Sequence, residues 1–161
     1  MKTKFSAGLA IIYDNKILLA HTTNRGWYGS YGIPKGGIEK GETHFEAALR
    51  ETKEEVGIKV PKNLIDKSNK HTFTVTTRKY GNKIVYYYIA QISDLSQIGL
   101  KDLVIPKKQL QTEEVDWAGF LNYDEAMKRV MKSQQVVINN LIGKGLLENK
   151  DSILKFKDFN I

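Results

Sequence analysis

The sequence predicts a single α+β domain, and three observations carry that expectation. β-Prone segments come in two pairs, each around a turn dipeptide; a capped amphipathic helix stands between the pairs; and helical periodicity returns only late in the chain. A chain of 161 residues, 41% hydrophobic and 27% charged, can bury one core without cross-links. It contains no cysteine, which excludes disulfides and cysteine-ligated zinc and accords with a reducing, cytoplasmic setting.

Phe5 to Tyr13 and Lys16 to Thr22 flank Asp14-Asn15, a dipeptide suited to a two-residue turn, and are expected as an opening hairpin. Lys2 and Lys4 before the apolar run Phe5–Ile12 have the outline of a secretion signal, but Tyr13 to Lys16 interrupt it early and no small-residue cleavage site follows. No stretch approaches a membrane-spanning length, so no membrane association is expected. Asn24 to Gly37, with Trp27, Tyr28 and Tyr31, reads as a loop ending in Ile33-Pro34-Lys35-Gly36-Gly37. Thr43 with Glu46 forms a capping-box signature and Gly57 a C-terminal stop, which predicts a helix from Thr43 to Val56. Lys59 to Lys70 is a connection, and His71–Tyr80 with Lys83–Ser93 is expected as a second hairpin around Gly81-Asn82. Ser96 to Gln111 reads as a loop carrying Pro106. Asp124–Met131 and Gln134–Ile142 have helical periodicity, with Gly143 and Gly145 ending the second helix. The domain is expected over residues 1–145, with 146–161 a C-terminal extension of unassigned role.

The chemistry concentrates on the Thr43–Val56 helix. Phe45, Ala48, Leu49, Thr52 and Val56 form an apolar stripe, while Glu51, Glu54 and Glu55, at i, i+3 and i+4, fall together on an adjacent face. Like charges at this spacing repel by a few tenths of a kcal/mol per pair, roughly, on an exposed helix, and a hard divalent cation would remove the conflict. Clustered oxygen ligands suit Mg²⁺ or Mn²⁺, which bind through a few carboxylates together with substrate phosphates. The net charge of +7, with many acids gathered on this helix, leaves the remainder still more basic and favours a polyanionic substrate. No dense arginine run of the kind that marks nucleic-acid arms is present.

Gly36, Glu42, Arg50, Glu51, Glu54, Glu55, Gly57 and Ile58 together fill the pattern Gly-x5-Glu-x7-Arg-Glu-x-x-Glu-Glu-x-Gly-Ile, which resembles the Nudix box. Thr52 departs from it, standing where most members carry an aliphatic residue. The resemblance implies an α/β/α fold in which a mixed sheet is sandwiched between helices. It also implies Mg²⁺ (or Mn²⁺) held by Glu54 and Glu55, with Glu51 as ligand or general base and the backbone carbonyl of Gly36 as a further ligand. Arg50 is expected to hold the glutamates by bidentate pairing. Glu114, six residues before Phe120, is similar to the late-loop glutamate that reaches the metal site in relatives, with Glu113 as the alternative.

Along the whole chain the sequence is most similar to the asymmetric dinucleoside tetraphosphate hydrolases. Pro34-Lys35-Gly36 recurs in them, and Lys83 to Gln91 is similar to their Lys-x-Val-x-Tyr-x-x-Ala segment. The likeness implies Lys35 and Lys83 as phosphate contacts and Tyr87 as the tyrosine that stacks a base or lines the phosphate channel. The implied activity is hydrolysis of a phosphoanhydride in a nucleoside diphosphate linked to another moiety, with diadenosine tetraphosphate going to ATP and AMP. The same box serves cleavage of RNA 5′-pyrophosphate ends, nucleoside triphosphates, ADP-ribose and diphosphoinositol polyphosphates. A nucleotide-binding regulator without catalysis is the expectation of a different class.

Overall fold

A computed structural model describes residues 3–23, 30–67, 70–77 and 81–149, of which 71–77 by their backbone alone. The opening hairpin is present as β1 (Lys4–Tyr13) and β2 (Lys16–Thr22), with Asp14 at φ 47° and Asn15 at φ 58°. Two successive left-handed residues make the turn whose twist matches that of the flanking strands. Tyr31–Gly32 (β3) and Lys35–Gly37 (β4) are short strands inside the segment expected as a loop; Trp27 and Tyr28 lie outside the described residues.

The helix α1 (His44–Val56) starts at an N-cap Thr43 with the complete capping box to Glu46 and stops at Gly57, whose φ of 69° is left-handed. Thr52 is fully buried on the core stripe, and its hydroxyl donates to the Ala48 carbonyl at 2.8 Å. The departure from the box is thus absorbed by a bond within the helix. β5 (His71–Thr77) and β6 (Gly81–Ile92) pair antiparallel as the second hairpin, but Gly81 and Asn82, expected at its turn, stand within β6 opposite Thr77 and Thr76. β6 also runs parallel to β1 over its length, from Lys4 beside Lys83 to Tyr13 beside Ile92. The sheet is therefore mixed, with central order β3-β2-β1-β6-β5, β4 on β1, and β7 (Val115–Leu121) on β2.

β7 was not expected as a strand. Ala118-Gly119 breaks the β-prone run, yet Gly119 is required there: a Cβ would lie 2.8 Å from the Trp117 ring and 3.0 Å from the Leu103 carbonyl. Likewise Ser96–Gln111 is more than a loop. It forms short 3-10 turns at 95–98 and 107–109 and buries Ile98, Leu100, Ile105 and Leu110 in the same core as the apolar face of α1.

Central β1 feeds two cores, as a strand covered on both faces must. Ala7, Leu9 and Ile11 pack under α1; Ala10 and Ile12 pack under α2 (Tyr123–Arg129) and α3 (Lys132–Gly143) on the other face. This is the helix–sheet–helix sandwich. The packed chain continues past residue 145: Leu147 is buried in the second core, and the Asn15 side chain holds Glu148 by both its N–H (2.6 Å) and its carbonyl (3.0 Å). Among the described residues no helix is long and apolar enough to cross a membrane.

Candidate active site

β4 runs antiparallel to β1, Gly36 opposite Ala7, and delivers Lys35-Gly36-Gly37 to the carboxylate face of α1. The approach depends on two bare Cα atoms. At Gly36 an added Cβ would overlap the Glu51 carboxylate. At Gly8 it would lie 2.6 Å from the Pro34 carbonyl oxygen and 2.7 Å from the Lys35 Cβ. The second glycine was legible in principle, since an isolated glycine inside an apolar strand marks a close backbone approach.

Arg50 organises the glutamates. Its Nε and Nη2 donate to the two oxygens of Glu42 at 2.8 and 3.0 Å, Nη1 donates to Glu51 (2.9 Å) and Glu54 (3.1 Å), and Nη2 also reaches the Gly37 carbonyl at 2.8 Å. The expected bidentate pairing is present, directed at Glu42. Hydrogen bonds from Arg50 hold the Glu42 carboxyl below its ordinary range, and those carboxylates in turn raise Arg50. Glu51 is raised, because its burial outweighs the pull of Arg50, with Glu54 and Glu114 adding repulsion. Burial, then repulsion from Glu51 and Glu114, pushes Glu55 up to about 8 against the opposing pull of Lys35.

Lys35 and Lys83 line a cleft together with Glu55; burial and then the second ammonium lower Lys35 to about 8, while Glu55 and Glu51 act the other way. Lys35, Gly36, Glu55, Lys83 and Glu114 line one compartment of about 400 Å³. A narrower one of about 160 Å³ adds Tyr31, Met131 and Gln134. The two share Thr22, Lys35, Glu55 and Val115, so they form one cleft. Of the two late-loop candidates, Glu114 lines the cleft and Glu113 does not.

Tyr87 stands elsewhere than expected. It is 1% exposed in the second core, and its phenol accepts from Gln134 Nε2 at 2.7 Å, so no face is free for a base. Adjacent strand residues point to opposite faces, and in this register Tyr87 takes the face that α3 covers. Among the described residues the aromatic ring lining the cleft is Tyr31, braced by His21 (centroids 4.6 Å) and Trp117 (5.8 Å); His21 Nδ1 in turn lies 2.6 Å from Asp116 Oδ1. Gln134 was missed altogether. It is 8% exposed and its Oε1 accepts from the Ile33 N–H at 3.0 Å, a role that a helical glutamine does not advertise in sequence.

In donor type the oxygens of Glu51, Glu54, Glu55 and Glu114 are those a hard divalent cation prefers, and the Gly36 backbone is pressed against Glu51. Among the described residues no three carboxylates or histidines converge at ligand spacing; Glu51 and Glu54 turn toward Arg50 instead.

Comparison with known proteins agrees with the geometry. The family model of the NUDIX domain matches residues 2–141. An ADP-ribose pyrophosphatase of Methanocaldococcus jannaschii is 49% identical over 49 residues, 30% of this chain and 28% of that protein. The asymmetrical bis(5′-nucleosyl)-tetraphosphatase of Rattus norvegicus is 36% identical over 61 residues, 38% of this chain and 41% of that one. The matched stretch thus spans less than half of either relative. Among solved structures, a C. elegans Ap4A hydrolase binary complex has a TM-score of 0.66 at 20% identity, covering 87% of this chain and 96% of that one. The NUDIX domain of Shewanella oneidensis NrtR complexed with ADP ribose gives 0.64 at 16%, covering 91% and 90%. At such identities the likeness speaks for the fold, and with the domain match across 2–141 the chain belongs to the Nudix family.

Proposed function

We propose that this protein is a divalent-metal-dependent pyrophosphohydrolase whose preferred substrate is diadenosine tetraphosphate, cleaved to ATP and AMP. The supporting observation is the convergence of Lys35 and Lys83 on the compartment that also holds Glu55 and Glu114. Two ammonium groups beside a carboxylate cluster suit a polyphosphate longer than one diphosphate.

In this reading Gly36, Glu51, Glu54, Glu55 and Glu114 would hold Mg²⁺ or Mn²⁺, which when bound would neutralise phosphate charge and make water a stronger nucleophile near neutral pH. Arg50 fixes the carboxylates of Glu51 and Glu54, so that one of them is positioned to accept the proton of the attacking water. Lys35 and Lys83 bind the phosphates beyond the scissile bond. Tyr31 offers the aromatic face for one base in the narrower compartment.

ADP-ribose is the second reading, favoured by the 49% identity to a pyrophosphatase of that name. The discriminating experiment offers diadenosine tetraphosphate, ADP-ribose, ATP, diphosphoinositol polyphosphate and RNA with a 5′-triphosphate in the presence of Mg²⁺, separating products by chromatography. ATP plus AMP, with ¹⁸O from labelled water in AMP, is the expected result. Cleavage of ADP-ribose or of the RNA with about tenfold higher kcat/KM would overturn the substrate. Undiminished hydrolysis in excess EDTA would overturn the metal-dependent reaction itself.

A further inference from the structure

A second concavity, sharing no lining residue with the cleft, lies beside the C-terminal half of α1 and the segment that follows it. Leu49, Val60, Pro61 and Arg50 line a groove of about 460 Å³, together with Lys53, Lys59 and Lys62. Its chemistry differs from the cleft's: the walls are apolar, and the charge is all cationic, carried by exposed Lys53, Lys59 and Lys62 and half-buried Arg50. Val60 is 4% exposed, and Leu49 packs against the first core, so the apolar wall is fixed. Among the described residues none of the three lysines has a carboxylate at ion-pair distance, although Glu46 feels Lys62 at longer range.

We propose that this groove binds a small amphiphilic anion, its apolar body against Leu49, Val60 and Pro61 and its anionic head among Lys53, Lys59 and Lys62. The volume falls within the range of roughly 300–1,000 Å³ usual for small-molecule sites. A free phosphate would leave the apolar wall of Leu49, Val60 and Pro61 uncovered, and an apolar cation would meet the lysine ammonium groups, so charge and surface together select the amphiphilic anion. The site also touches the machinery of the cleft from behind. Arg50 contributes to the groove, while its guanidinium grips Glu42, Glu51 and Glu54. An occupant packed on Arg50 therefore biases the residue that orders the carboxylates, and by linkage metal affinity and occupant affinity change by the same factor.

The test is calorimetric titration of the metal-free protein with decanoate below its micelle concentration, with decyltrimethylammonium in parallel. Saturable one-to-one binding of decanoate alone is expected, with methyl NMR shifts at Leu49 and Val60. Binding should weaken at least about tenfold in the Lys53→Glu/Lys59→Glu/Lys62→Glu variant and severalfold in Lys59→Glu, whose single surface change keeps the fold. No saturation, equal binding of the cationic amphiphile, unchanged affinity in the charge-reversed variants, or shifts confined to the cleft would each overturn the site. A Mn²⁺ affinity indifferent to saturating decanoate would overturn its coupling to Arg50. These outcomes do not depend on the substrate, so the site and the proposed hydrolysis fail separately.

Discussion

Glu55 combines burial with carboxylate neighbours, and the sign of its effect on stability follows from that. Its pKa is raised from 4.5 to about 8 in the folded protein, so its favourable contribution is complete below about pH 4.5 and is lost as pH rises through 8. Chelated Glu55→Gln protein should therefore melt at the wild-type temperature near pH 5 and roughly 2–4 °C higher at pH 8.5. A lower melting temperature at pH 8.5 would show that Glu55 stabilises the fold. The same variant, and Glu54→Gln, should lose about 10²-fold or more in kcat with Mg²⁺. The late-loop pair is separated by geometry: Glu114→Ala should reduce kcat strongly and Glu113→Ala little, because Glu114 lines the cleft. Comparable losses would place the register wrong. Among single residues the sequence shows a repeat of charge on a helix, as at Glu51, Glu54 and Glu55, but not which of them faces the cleft: Glu55 lines it, while Glu51 and Glu54 pair with Arg50. Tyr87 matched a motif by position, but only the register of β6 and the cover of α3 determine which face it takes.

At the scale of elements, strong local signals were legible. Asp14-Asn15, the capping box at Thr43 and the stop at Gly57 each fix backbone geometry within a few residues, and each is found as expected. β7 and the packed segment from Leu95 to Leu110 were not legible, because their positions come from distant partners: Leu18 beside Phe120, and Ile105 donating to the Ala118 carbonyl at 2.9 Å. The two glycines of the β1–β4 contact separate folding from chemistry. At Gly36 a methyl meets the far end of a side chain, Glu51, which can swing away. Gly36→Ala should keep its melting temperature and lose about 10²-fold in kcat. At Gly8 the methyl meets the backbone oxygen of Pro34 at 2.6 Å, which cannot yield without moving β4. Gly8→Ala should cost about 1–3 kcal/mol in denaturant unfolding as well as activity. A stable, active Gly8→Ala protein would show that β4 does not need this close approach to β1.

Across the whole molecule the charge is +7, and at the cleft the cations Lys35 and Lys83 stand with Glu55 of α1 and Glu114. Composition gives an excess of positive charge but not where it collects; β4 and β6 bring Lys35 and Lys83 together from opposite sides of the helix in sequence. This arrangement makes a prediction about substrates of different length. A tetraphosphate bridge carries about twice the negative charge of a diphosphate, so its capture gains more from a positive field. Salt screens that field, with a Debye length of about 10 Å at 0.1 M and about 3 Å at 1 M. The kcat/KM for diadenosine tetraphosphate should thus fall more steeply with added potassium chloride than that for ADP-ribose. Lys83→Gln should flatten the steeper curve and raise KM while leaving kcat nearly unchanged, the signature of lost uniform binding. Parallel salt dependences for the two substrates, or a loss in Lys83→Gln carried by kcat alone, would mean that Lys83 takes part in the reacting centre and does not hold the distal phosphates.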